Sequence, residues 1–300
     1  MSLAFSRSAH AISVTSGQRL ARYAALALLS VSSMACTAKM PLPSSPTAPT
    51  GQLQVSNPTR STQGFSQCPQ FFAGGKPPVL SDQPKLRALC YDAFAILHSG
   101  QSKTPVFVAQ RLNKALVDDA DEKRTNKFFT DARLPRDERA ELNDYKRSGY
   151  SRGHMAPAGD MPTAQAMAQS FSLANMVPQS SKQNGGPWAR IEKDTRSYAQ
   201  RAAGDVYVIT GPVFTAETST VGSNQVRVPS FLYKLVYDAQ SQRAWAHWQA
   251  NDDAARVTQP ISYEELVRRT GIEFLPATAL RSSGKIQQVS ASASASVLQR

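Results

Sequence analysis

The chain has 300 residues, with 34 Lys and Arg against 22 Asp and Glu, for a formal charge of +12 at neutral pH. That balance favours polyanionic partners, nucleic acid or an acidic membrane surface, and charge alone does not choose between them. There is no metal-ligand cysteine pair, no Gly-rich phosphate loop followed by Lys and Ser or Thr, and no Gly-x-Ser-x-Gly elbow, which sets those three classes of site aside.

The N-terminal segment carries Arg7, Arg19 and Arg22, an apolar run over 23–31, and small residues from Ser33 to Cys36. This is the layout of a secretory signal, expected over 1–38. The apolar run is shorter than the roughly 20 residues needed to cross a bilayer, so cleavage and export are expected. Cys36 stands where a lipoprotein would carry its lipid, but Ser33 replaces the usual Leu or Val. A periplasmic, a lipid-anchored and a secreted product all stay open. Residues 39–64 are rich in Pro, Ser, Thr, Gly and Gln and read as a disordered linker.

The ordered domain is expected over 65–280, with a low-complexity tail over 281–300. Cys68 and Cys90 could close a disulfide worth about 3 kcal/mol, or remain two buried thiols; the sequence leaves both open. The apolar positions in 84–98 have helical spacing but are ambiguous between helix and buried strand. A strand is expected at 106–109, one or two strands with a short helix in the polar stretch 113–150, and a buried strand at 171–177. An amphipathic helix follows at 188–203, then strands at 205–213, 228–237 and 243–249. Ser262 with Glu265 opens a last helix that Gly271 ends. The sum is an α+β domain: a central, mainly antiparallel sheet with helices packed on it.

The densest chemistry lies in the run Ser151-Arg152-Gly153-His154-Met155-Ala156-Pro157-Ala158-Gly159-Asp160. His154 sits among turn-forming residues, where an imidazole can face a cleft and act as a general base near neutral pH. Alone, such a histidine is more often a packed residue. Farther on stand Asn175 with Pro178-Gln179, then Asn184, then Trp188, Glu192 and Arg196, the last three on one helical face. Taken alone, Glu192 and Arg196 read as an ordinary surface pair worth a few tenths of a kcal/mol.

As an ordered set these elements resemble the DNA/RNA non-specific endonuclease family, the ββα-metal or His-Me finger nucleases. That signature is Asp-Arg-Gly-His, an Asn-x-x-Pro-Gln strand end, and an Asn shortly before a Trp-x-x-x-Glu helix with an Arg four residues on. The resemblance implies a sugar-nonspecific nuclease that hydrolyses DNA and RNA and leaves 5′-phosphate ends. It implies His154 as base, Asn184 as the one protein ligand of Mg²⁺ with Mn²⁺ as a substitute, and Glu192 as director of a metal-bound water. Arg152 and Arg196 would hold phosphate oxygens. Arg124 is a further phosphate clamp or a solvated charge, and Asn175 a substrate contact or a structural amide. The partner would be the DNA or RNA backbone, with no stable protein partner and homodimerisation left open.

One position departs from the pattern: Ser151 stands where most of the family has aspartate. The loss of that carboxylate leaves a second reading, an exported nucleic-acid-binding or uptake protein with a weakened nuclease site. His98 is expected to cap or pack a helical stripe, and Trp245, His247 and Trp248 to pack along a strand.

Overall fold

Successive residues of a strand point to opposite faces, and here that alternation feeds two separate cores. In a computed structural model that describes residues 64–280, seven strands form one antiparallel sheet in the order β1-β2-β3-β6-β9-β10-β11. The strands are β1 (Leu86–Cys90), β2 (Ala95–Ser99), β3 (Thr104–Leu112), β6 (Val206–Val213), β9 (Phe231–Asp238), β10 (Arg243–Ala250) and β11 (Ile261–Ser262). Two short pairs lie outside the sheet, β4 (Ser151–His154) with β5 (Met176–Gln179) and β7 (Thr220–Val221) with β8 (Val226–Arg227). The helices are α1 (Lys114–Asp118), α2 (Leu142–Tyr145), α3 (Ala164–Ser170), α4 (Ser181–Gln183), α5 (Ala189–Arg201) and α6 (Tyr263–Thr270).

On one face Leu97, Phe107, Ala109, Ile209, Tyr233 and Leu235 pack with Phe65, Phe72 and Leu266. Their neighbours Ile96, Val108 and Leu232 point the other way, against Met155, Phe171, Trp188 and Ile191. Fully burying a large side chain of this kind contributes about 1.5–3 kcal/mol, so both faces must be covered. The segment carrying the site covers the second. Cys68 and Cys90 are joined in a disulfide with Cα atoms 5.8 Å apart, tying the N-terminal turns to strand β1.

One open alternative is settled and two expectations are corrected. The stretch 84–98 is the β1-β2 hairpin, its turn closed by the Tyr91 amide donating to the Phe94 carbonyl at 2.9 Å. His98 therefore packs from a strand, one nitrogen 2.7 Å from the Glu138 carbonyl oxygen. Between 113 and 150 there is no strand among the described residues, only an isolated bridge from Phe129 to Ser172. Polar side chains satisfy the backbone locally there: Asn113 accepts from the Leu116 amide and Asp131 from the Arg133 amide, each at 3.0 Å. The strand expected at 171–177 begins only at Met176, because the Ser172 hydroxyl accepts from the Ala174 amide and turns the chain first.

Other expectations hold. The helix at 188–203 is α5, and strands β6, β9 and β10 match within a few residues. Helix α6 begins with the Ser262 hydroxyl accepting from the Glu265 amide at 3.2 Å and ends at Gly271, φ 69°. The leader, linker and tail fall outside the described residues, apart from Gly64. No helix among the described residues is long and apolar enough to cross a membrane.

Candidate active site

Strand β4 is four residues long, and its sequence explains its shape. Paired antiparallel to β5, it sets Ser151 against Gln179, Arg152 against Pro178, Gly153 against Val177 and His154 against Met176. A Cβ on Gly153 would lie 1.7 Å from Gln179 Oε1, so only glycine fits between Arg152 and His154. The turn that follows is clamped by Asn175: its Oδ1 accepts from the Ala156 amide, and its Nδ2 donates to the Ala156 and Ser170 carbonyls, all at 2.9 Å. Asn175 is 0 % exposed. It is a structural amide that fixes the turn behind His154, which corrects the substrate-contact reading.

His154 is buried, and its Nε2 has no hydrogen-bond partner. Its ring packs edge-on to Phe171 at 5.0 Å and at a tilt to Phe128 at 5.9 Å. Those two rings carry the arginines, Arg124 lying 5.0 Å over Phe171 and Arg152 3.9 Å over Phe128. Burial, then the charges of Arg124 and Arg152, push the His154 pKa down to about 3. The imidazole is therefore neutral at physiological pH.

Arg124, Arg152 and Asn184 line one cavity of about 590 Å³ together with Ser151, Phe128 and Lys146. Arg124 is exposed while it lines this cavity. Ser151 sits at the rim, its hydroxyl 2.8 Å from that of Ser181. This bond joins the strand of Arg152 and His154 to the short helix that delivers Asn184.

From Asn184 to Trp188 the chain makes a π-helical turn between α4 and α5, the kind of widened turn that recurs at functional sites. It is held from below by buried glutamines: Gln179 Nε2 donates to Gln183 Oε1 at 2.5 Å, and Gln183 Nε2 to Gln249 Oε1 at 2.9 Å. Trp188 is fully buried, so the face of α5 that holds Trp188, Glu192 and Arg196 turns inward. The surface Glu192–Arg196 pair is not formed. Arg196 instead donates through Nη1 to Asp160 Oδ1 at 2.9 Å, and Gly159 leaves room for its guanidinium, 3.4 Å from where a Cβ would sit.

Asp160 and Lys234 are the residues that motif reading missed. Asp160 is buried, accepting from Arg196 and, at 3.4 Å, from Gln110. Lys234 is 1 % exposed on the inner face of β9; its ammonium donates to Thr210 Oγ1 at 2.8 Å and lies 5.5 Å over the Trp188 ring. A signal for it existed: one lysine inside the apolar strand Phe231-Leu232-Tyr233-Lys234-Leu235-Val236-Tyr237. Burial raises the Glu192 carboxyl to about 7, against the opposing pull of Lys234.

The donor set limits what cation could bind. Among the described residues no three His, Cys, Asp or Glu groups cluster as a metal cage. What the cavity itself offers is the Asn184 amide. One neutral oxygen ligand fits a hard cation that keeps most of its water, and fits poorly a softer ion that needs imidazole or thiolate ligands.

The sequence pattern of the family described as DNA/RNA non-specific endonuclease matches residues 78–280. The human mitochondrial nuclease EXOG is 37% identical over 166 residues, covering 51% of this chain and 45% of that protein. Human mitochondrial endonuclease G is 30% identical over 223 residues, covering 68% and 71%. The chain thus spans about half the length of the first of these relatives. A chain in the crystal structure of the EndoG/EndoGI complex superposes with a TM-score of 0.60 at 21% identity, over 74% of this chain and 96% of that one, which shows the fold. Both human relatives are named as mitochondrial, so the likeness gives no support to export.

Proposed function

The chain belongs to the DNA/RNA non-specific endonuclease family, and from that premise we propose that it is a Mg²⁺-dependent nuclease that hydrolyses the phosphodiester backbone of DNA and RNA and leaves 5′-phosphate ends. The observation that supports this most is the cavity that Arg124, Arg152 and Asn184 share, with a neutral, unpartnered imidazole packed against its Phe128 wall. Two guanidiniums stacked on aromatic rings present donors to phosphate oxygens, contacts that bind any sequence alike. His154 accepts a proton from the attacking water at Nε2. Asn184 Oδ1 would hold the cation, and Glu192 would support its hydration. The bound cation would supply charge stabilisation to the phosphate and the departing oxygen. Arg196, anchored on Asp160, stiffens the Glu192 helix and keeps free donors for phosphate.

The second reading, a nucleic-acid-binding or uptake protein with a weakened site, is favoured by one observation: Ser151 offers a hydroxyl, bonded to Ser181, where the family pattern has a carboxylate. Plasmid nicking by the purified protein with Mg²⁺, with and without EDTA, separates the two. Nicking that EDTA stops supports the enzyme. Retardation of intact supercoiled DNA supports the binding protein. For its destination we infer a compartment reached through a leader, the N-terminal pattern supporting export and the names of the relatives an organelle; mass spectrometry of the mature N-terminus distinguishes them.

A further inference from the structure

Behind the two rings that pack on His154, three stretches of chain far apart in sequence meet at one hydroxyl. Tyr91, in the turn between β1 and β2, is buried, and its hydroxyl donates to Asp131 Oδ2 at 2.5 Å. The same oxygen lies 3.1 Å from the hydroxyl of Ser172. Asp131 is also held by Arg133, whose backbone amide and Nε donate to Oδ1 at 3.0 Å and whose Nη2 donates to Oδ2 at 2.7 Å. Arg133 in turn lies 4.4 Å over the Tyr91 ring and donates through Nη1 to the Cys90 carbonyl at 2.9 Å. A buried polar network whose members are bonded to one another fixes one arrangement of the segments that contribute to it.

Those segments carry the clasp on the imidazole. Asp131 follows Phe128 and Phe129, and Ser172 follows Phe171. The Phe129 amide donates to the Phe171 carbonyl at 3.2 Å and the Leu173 amide to the Phe129 carbonyl at 2.8 Å, an isolated bridge outside the named strands. The Phe128 and Phe171 rings meet edge-on at 4.9 Å, and both pack on His154. Arg152 and Arg124 lie over the same two rings. Two backbone hydrogen bonds make a hinge; the Tyr91 hydroxyl, in contact with a side chain on each segment, braces it.

We infer that Tyr91 is a positioning residue for the nuclease reaction: its hydroxyl braces the loop of Phe128 against the turn of Phe171, and so sets the His154 imidazole and the guanidiniums of Arg124 and Arg152. This rests on the nuclease reading above. Tyr91 does not line the cavity of Arg124, Arg152 and Asn184, so its effect passes through the two rings. Replacing it by phenylalanine removes only the oxygen. The ring keeps its stacking on Phe94, at 4.4 Å, and its place under Arg133, while Asp131 keeps its bonds to Arg133. What is lost is the link between Asp131 and Ser172.

The test compares Tyr91→Phe, Phe171→Leu, the double variant and the wild type well below their melting temperatures. Tyr91→Phe should lower kcat/KM by about tenfold, the scale of a misplacement smaller than 1 Å. In the Phe171→Leu background, where the ring that transmits the brace is gone, adding Tyr91→Phe should change kcat/KM by no more than about twofold. A merely structural tyrosine would lower Tm and leave kcat/KM where it is, or would cost the same tenfold in both backgrounds; either result overturns the inference. A second readout needs no turnover. The NMR resonances of the His154 ring protons depend on how Phe128 and Phe171 sit against them, and Tyr91→Phe should move them. Asp131→Asn, which keeps the side chain's shape and weakens the acceptor, should move the same resonances, so the result does not depend on one variant folding. Unmoved His154 resonances overturn the inference. Because this shift is measurable even if the protein cuts no nucleic acid, the two readings fail separately.

Discussion

Gly153→Ala adds one methyl group in the middle of the Arg152-Gly153-His154 strand. That carbon would sit 1.7 Å from Gln179 Oε1 and 2.6 Å from Gln179 Cβ and Cδ, where real contacts do not fall below 3.0 Å. The Gln179 side chain must retreat by more than about an ångström in an interior packed at crystal density. Overpacking of this kind costs about 1–3 kcal/mol. The retreat also breaks the Gln179–Gln183 bond and strands a buried amide, a further loss of about 1–3 kcal/mol. For a domain of this size each kcal/mol lowers Tm by about 2–4 °C, so a fall of roughly 4 to 24 °C is expected. Because Gln183 precedes Asn184, the strain reaches the cation ligand as well as the imidazole, and a misplacement of about 1 Å reduces kcat by about 100-fold. Gly185→Ala is the control, since a Cβ there meets nothing within 4 Å. Differential scanning calorimetry and a nicking assay on both variants decide the matter. A Gly153→Ala protein with wild-type Tm and kcat would refute the packing account of the motif.

His154→Ala should reduce cleavage by about 10²–10⁴-fold while DNA affinity measured by fluorescence anisotropy changes little; weakened binding with cleavage intact would reject His154 as the base. Asn184→Ala should move the Mg²⁺ midpoint for activity, and Mn²⁺ binding followed by electron paramagnetic resonance, to at least about tenfold higher metal, as expected when a direct ligand is lost. An unchanged titration in either readout counts against ligation. Replacing Cys68 and Cys90 by serine should cost about 3 kcal/mol in urea denaturation. A loss below about 0.5 kcal/mol would show that the bond adds nothing to the packing of Phe65 and Phe72 on the sheet.

Much of the site was legible because the motif residues carry their chemistry in their spacing. Arg152-Gly153-His154, Asn184 and the Glu192 to Arg196 interval are short-range patterns, and short-range order dictates a helix face. The sheet was legible from alternation in β6, β9 and β10. The β1-β2 hairpin was not, since a short apolar cluster fits a helical and a strand period equally well.

What the sequence determined by itself was the set of reactive groups and the family they compose. Only the tertiary structure decided which groups are buried and what each one faces: that Asn175 is spent on backbone, that Arg124 joins the cavity, that Arg196 pairs with Asp160 rather than with Glu192. The physical reason is that desolvation and charge pairing act between residues far apart in sequence. Lys234 reads as one polar residue in an apolar run, and its contacts with Thr210 on β6 and with the Trp188 ring exist only in the folded chain.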